Sequence, residues 1–210
     1  MPAFVGFYSA PLVCEAVPQI GCGCRAKPVL ARLEEQFDIE CAWLHRHGDV
    51  IAVEWRRTLD VDQQVGRLRT ALGGISDVAA VPAAPSSALL TTFPDPQHWY
   101  RRETVDQLSE EEAHTIAARL VLLLSRERVP LPDGSALQCD LACAFRDVLI
   151  AEEEIPIETR LTRLVAGARD VLQQHLGSQA QWETVVTPAT LLPAGAVHPH
   201  AGQATSEQDA

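Results

Sequence analysis

Hydrophobic positions along the chain change period near residue 82, from mostly two-residue alternation to helical recurrence. Residues 11–17 (PLVCEAV) alternate as a strand that stops at Pro18, and the loop PQIGCGCRA follows. Pro28 fits the first turn of a helix, where its missing N–H costs nothing, and Leu30, Leu33 and Phe37 recur behind it. The segment IECAWLH (39–45) predicts a strand with Ile39, Cys41 and Trp43 on one face. His47-Gly48-Asp49 makes a turn, and VIAVEW (50–55) answers it with Ile51, Val53 and Trp55 alternating. Asp60 and Gln63 form a capping box ahead of the stripe Val61, Val65, Leu68 and Leu72, with Gly73 suited to the C-terminal cap. A last short strand, ISDVAAV, ends at Pro82.

The element order is therefore β-α-β-β-α-β over residues 1–82, the ferredoxin-like or split-βαβ arrangement. Residues 83–96, rich in proline and small residues, predict a linker. Residues 97–187 predict a three-helix unit. Ser109 and Glu112 read as a capping box leading into Ile116, Ala117, Leu120, Leu123 and Leu124. LPDGS breaks the chain at 131–135. A second helix, about 136–151, carries Leu137, Leu141, Phe145 and Val148. Pro156 opens a third, with Ile157, Leu161, Leu164, Ala168, Leu172 and Leu176 in register and Gly177 closing it. Residues 188–210 predict a disordered tail. The fold class expected is α+β.

Composition adds constraints. Apolar residues at 47% and charged residues at 21% are ordinary for a globular chain. No apolar run reaches the ~18 residues of a membrane span. The start, MPAFVGFYSAPLV, lacks the basic opening and cleavage site of a secretory leader. A cytoplasmic protein without membrane insertion is expected. The net charge of −11 and the lack of a basic stripe argue against a nucleic-acid partner.

Six cysteines then carry most of the chemistry. In a reducing compartment, clustered thiols point to metal or redox roles before structural disulfides. Cys22 and Cys24 flank Gly23 on a loop expected to be exposed, with Gly23 supplying backbone freedom. Just before a helix N-terminus, and beside Arg25 and Lys27, both thiols are biased toward the thiolate that binds metal. Two thiolates suit a soft ion, Cu(I) first, with Zn(II) or Hg(II) behind it. A closed zinc site needs two more ligands. Cys139 and Cys143, four apart on one helix face, could supply them or meet a partner, or be filler on a buried helix. Cys14 and Cys41 occupy inward strand positions and read as core packing. His45 and His47, and His198 and His200, offer at most adventitious metal sites. Glu152, Glu153 and Glu154 read as a solvated rim.

With these elements in place, residues 11–82 resemble the heavy-metal-associated domain of copper chaperones and metal-transporting ATPases. The likeness lies in the element order, the cysteine loop, and AWLHRHGDVIAVEW ahead of VDQQVGRLRTAL. Matching the first helix places Cys22 on that family's first cysteine. The second falls on Arg25, and Cys24 comes one residue early, a Cys-x-Cys in place of Cys-x-x-Cys. Ile20-Gly21 stands where the family has Met-Thr, and Pro28 sits in the first turn. The resemblance implies a metal chaperone, sequestration or sensing role. No nucleophile elbow, phosphate loop or zinc-hydrolase helix marks an enzyme. Two other readings stay open. One is an interaction or assembly module, its helical domain meeting a protein partner through Phe93, Trp99 and Tyr100. The other is a thiol redox protein.

Overall fold

The computed structural model describes residues 4–73, 77–151, 155–177 and 180–192 and shows an α+β protein built on a four-stranded antiparallel sheet. The first strand, β1, is Phe4–Ser9, upstream of the segment expected. Residues 11–17 are a loop instead. In β1 the neighbours Phe7 and Tyr8 face opposite sides and both are buried, so the strand reads as a continuous apolar run. Helix α1 is Gly23–Glu34, and the hairpin β2 (Ile39–His45) and β3 (Val50–Trp55) turns at Gly48, which has φ +80°. Helix α2 spans Val61–Ala71 and carries the expected box: Asp60 accepts from Gln63 N, and the Gln63 side chain accepts from Asp60 N.

The sheet order is β1-β3-β2-β4, where β4 is the short pair Trp99–Tyr100 at the β2 edge. The other edge, at β1, receives an isolated antiparallel bridge from Ala80 to Tyr8. Part of the last strand expected, Ile75 and Ser76, lies outside the described residues. A register shift between Ile39 and Cys41 corrects the face assignment of β2. It puts Ile39 in the main core, while Trp43 and Cys41 pack on the opposite face of the sheet.

That opposite face is covered by the segment expected to be a linker. Helix α3 (Ala83–Thr92) lies there, with Leu89 and Phe93 packed onto Phe7, Trp43, Ala52 and Trp99. Trp99 and Tyr100, expected at a partner surface, are 2% and 5% exposed, and Phe93 joins the same aromatic cluster. The aromatics are core, because they seal the sheet face that would otherwise stay wet.

The second half is α4 (Asp106–Arg126), α5 (Gly134–Leu149) and α6 (Ile157–Leu176), with the short α7 (Ala180–Glu183) and α8 (Pro188–Leu191) after them. Asp133 caps α5 through Ser135 N and Ala136 N, and Gly177 ends α6 at φ +67°. Helix α4 begins earlier than the Ser109–Glu112 box, so both residues lie inside it and are buried. Both halves of the chain contribute to one continuous core, from Leu30 and Trp55 to Phe145 and Leu172. Residues 188–192, placed with the tail by composition, include the fully buried Leu191; residues 193–210 lie outside the described set. Among the described residues, no helix is long and apolar enough to cross a membrane.

Candidate metal centre

The loop between β1 and α1 folds back on itself. Cys14 N donates to Ile20 O, Cys22 N donates to Leu12 O, and Val13 bridges Gly21. Two residues eight apart, Cys14 and Cys22, are thereby brought side by side. The Cys14 sulfur accepts from Val17 N at 3.3 Å, which fixes the bend. Gly21 makes the arrangement possible: a Cβ there would stand 2.8 Å from Leu44 Cδ2 and 3.0 Å from Gly48 Cα.

Cys22 is the N-cap of α1, and its sulfur lies 3.3 Å from that of Cys24. The sulfurs of Cys14 and Cys22 and a Glu112 carboxylate oxygen all lie within 4.8 Å of one another, and all three residues are buried. Cys22 is thus the hub of three thiols and a carboxylate. These groups border a cavity of about 30 Å³, room for an ion or one or two waters. Ile116 on α4, Leu149 on α5, Leu161 and Leu164 on α6, and Leu191 on α8 supply apolar walls. Arg119 straps two sides together, donating to Ala16 O at 3.0 Å and Leu191 O at 2.5 Å.

This geometry corrects two expectations. The cysteine loop is not exposed: Cys22 is 6% accessible, because α4 and α6 pack over the N-terminus of α1. Gly23 serves that packing rather than a flexible hinge. A Cβ there would lie 2.4 Å from Ser109 Oγ and 2.7 Å from Val105 O. Cys14 is buried in the core as expected, on a loop rather than a strand, and there its sulfur also meets Cys22 and Glu112.

Charge in the pocket is concentrated on Cys22. The flanking Cys14 and Cys24 thiols, together with Arg25, hold its thiol well below the ordinary range. The proton-retaining partners move the other way: their bonds to Cys22 and their burial push both Cys14 and Cys24 up. Desolvation, aided by the Cys22 charge, pushes the Glu112 carboxyl up to about 8. Among the described residues, Glu112 Oε2, Arg119 Nε and the Nε of the buried Arg160 have no hydrogen-bond partner, although the Cys14 thiol bonds the Glu112 carboxyl. A buried carboxylate oxygen without a donor, beside two sulfurs, is what a cation would satisfy.

The remaining candidates fall elsewhere. Cys139 and Cys143 are exposed on α5, and neither lines this cavity. Cys41 receives a 3.3 Å contact from Arg101 on the far face of the sheet. His45 pairs with Asp49, while His47 Nδ1 meets Gln19 O. Glu152–Glu154 and His198 and His200 lie outside the described residues.

Sequence reading missed Glu112 because Ser109-x-x-Glu112 mimics a helix start. It also missed Arg160, a charged residue on an otherwise ordinary amphipathic helix. Comparison with protein-family models, curated proteins and solved structures gives no match.

Proposed function

We propose that this protein holds one thiophilic d10 metal ion in a buried site made by Cys14, Cys22 and Glu112, with Cys24 as the fourth donor. The carrying observation is the group of two sulfurs and a carboxylate oxygen within 4.8 Å of one another, all in buried residues. A tetrahedral ion with metal–sulfur bonds near 2.3 Å needs ligand atoms about 3.8 Å apart, inside the 4.8 Å limit met by Cys14, Cys22 and Glu112, and Cys24 enters through its 3.3 Å approach to Cys22. The carboxylate moves the preference from Cu(I), which would use sulfur alone, toward Zn(II), which accepts both sulfur and oxygen. Hg(II) and Cd(II) fit as thiophilic analogues. Three thiolates, a carboxylate and a divalent ion sum to −2, and Arg119 and Arg160 stand nearby to balance it.

Burial favours one role over the others. An exposed pair passes its ion to a docking thiol by stepwise exchange, whereas Cys22 is covered on several sides. Retention therefore fits better than rapid hand-over, and the reading is sequestration or sensing rather than chaperoning. The heavy-metal-associated likeness is carried into this reading only as a ferredoxin-like frame for residues 4–81. The β1-β3-β2 order and the Ala80 bridge on the free edge of β1 support that frame.

The 3.3 Å Cys22–Cys24 sulfur separation also favours a second reading, a dithiol that oxidises reversibly. Co(II) substitution under reducing conditions separates the two. The metal reading predicts intense sulfur-to-cobalt charge-transfer absorption that weakens in Cys14→Ser and in Cys22→Ser and persists in Cys139→Ser. Absence of such absorption in the parent chain overturns it.

A further inference from the structure

A second cavity, of about 170 Å³, adjoins the metal centre and is more polar than the first. Of the three clustered sulfurs, Cys24 alone lines both spaces. Arg25, Arg32 and Arg160 border the outer one, and Arg25 and Arg160 border the inner one too. Arg25 and Arg160 thus stand where the two spaces meet, beside Cys24. Arg25 is held by Pro11 O at 3.1 Å and faces the Glu15 carboxylate only at 3.9 Å. Arg32 is fixed by its Nε bond to Ala71 O. Arg160 is 6% exposed, and its buried Nε has no partner. A buried guanidinium with an unmet donor, next to a thiol, fits an anion that also carries sulfur.

We infer that the outer cavity receives the metal as its complex with a small carboxylate-bearing thiol. Arg25 and Arg160 take the carboxylate, and Cys24 takes the ion. This inference rests on the metal reading above and names the form in which the ion arrives. The exchange involves no oxidation. The Cys24 thiol bonds to the metal while one thiolate of the incoming complex leaves, carrying the proton Cys24 gives up. The Cys22 thiolate then displaces the second thiolate, which takes a proton from solvent. Cys24 is suited to the first step because it touches both spaces. Cys22 is suited to the second because its sulfur stands 3.3 Å from that of Cys24, on the inner side.

The test uses the reduced full-length chain and three two-carbon thiols that differ in charge: mercaptoacetate, 2-mercaptoethanol and cysteamine. Each is supplied as its Hg(II) bis-thiolate complex, and uptake is followed by ultraviolet charge transfer in a stopped-flow instrument. The parent chain is expected to prefer the mercaptoacetate complex over the cysteamine complex. In Arg25→Gln and in Arg160→Gln that ratio of rates should fall by about tenfold, the effect of ~1.4 kcal/mol. The parent-to-variant comparison removes the intrinsic difference between the thiols, and circular dichroism confirms that each variant is folded. Uptake from all three complexes with an unchanged ratio in both variants overturns the anionic-thiol inference and leaves the metal site standing. A chain that binds Hg(II) supplied as the chloride but takes none from the three complexes also overturns the inference, and failure to bind Hg(II) in either form overturns the metal reading itself.

Discussion

Replacing Glu112 by Gln removes one ionisation at the centre of the proposed site, and its effect follows from burial, aided by the Cys22 charge. In the metal-free folded chain the Glu112 carboxyl keeps its proton until about pH 8, against an ordinary value of 4.5. Between those limits the unfolded chain has released the proton and the folded chain still holds it. Folding stability from this group is therefore complete below pH 4.5, falls as pH rises, and stops falling near pH 8. Each pH unit inside the window is worth 2.303RT, about 1.4 kcal/mol, so the upper bound across it is about 5 kcal/mol. Gln has no such proton. The free-energy gap between Glu112→Gln and the parent should move in favour of the variant by about 1.4 kcal/mol per pH unit and level off above pH 8. Measuring the same gap in a Cys22→Ser background removes the part that the Cys22 charge contributes. Urea unfolding with chelator and reductant at four pH values from the acid side of the window up to its alkaline limit measures it. A gap that stays constant across this range refutes the desolvation argument. Adding Zn(II) should reverse the order, because an ion bound only by the folded parent stabilises it by about 4 kcal/mol at roughly a thousand times its dissociation constant.

Further tests address the frame around the site. Gly23→Ala forces a Cβ toward Ser109 Oγ and Val105 O, so it should cost about 1–3 kcal/mol in urea unfolding and weaken Zn(II) binding, by prising α1 from α4. Asp60→Ala removes the cap of α2 away from the cluster and should cost about 1 kcal/mol while leaving metal affinity unchanged. With a limiting thiol reagent and no metal, Cys139 and Cys143 should be modified before Cys14, whose thiol is buried and raised. Mass mapping of the first modified peptide reads this directly.

How much was legible beforehand depended on the range over which each feature is decided. The capping box of α2, the Gly48 turn and the Gly177 stop are written in three or four adjacent residues, and they read correctly. The pairing of Cys22 with Cys24 is equally local. β1 was obscured because both its faces are buried, which erases the alternation that marks a half-exposed strand. The bulge at Ile39/Cys41 depends on hydrogen bonding with β3 and leaves no pattern of its own. The segment 83–96 has the composition of a linker, yet the exposed aromatic face of the sheet recruits Leu89 and Phe93 and makes part of it a helix. Cys14 is core as it read, but its pairing with Cys22 was hidden because it forms only when the 10–22 loop doubles back. Glu112 and Arg160 enter from helices about ninety and one hundred and forty residues downstream, and no spacing rule connects them to the cysteines.

A single ion held by sulfur and carboxylate together is the claim on which the functional reading stands. X-ray absorption at the zinc edge, on reduced protein loaded with one equivalent of Zn(II), tests it most directly. Three sulfurs at about 2.3 Å and one oxygen at about 2.0 Å are expected. A shell of oxygen and nitrogen alone, or zinc lost on gel filtration, would contradict it.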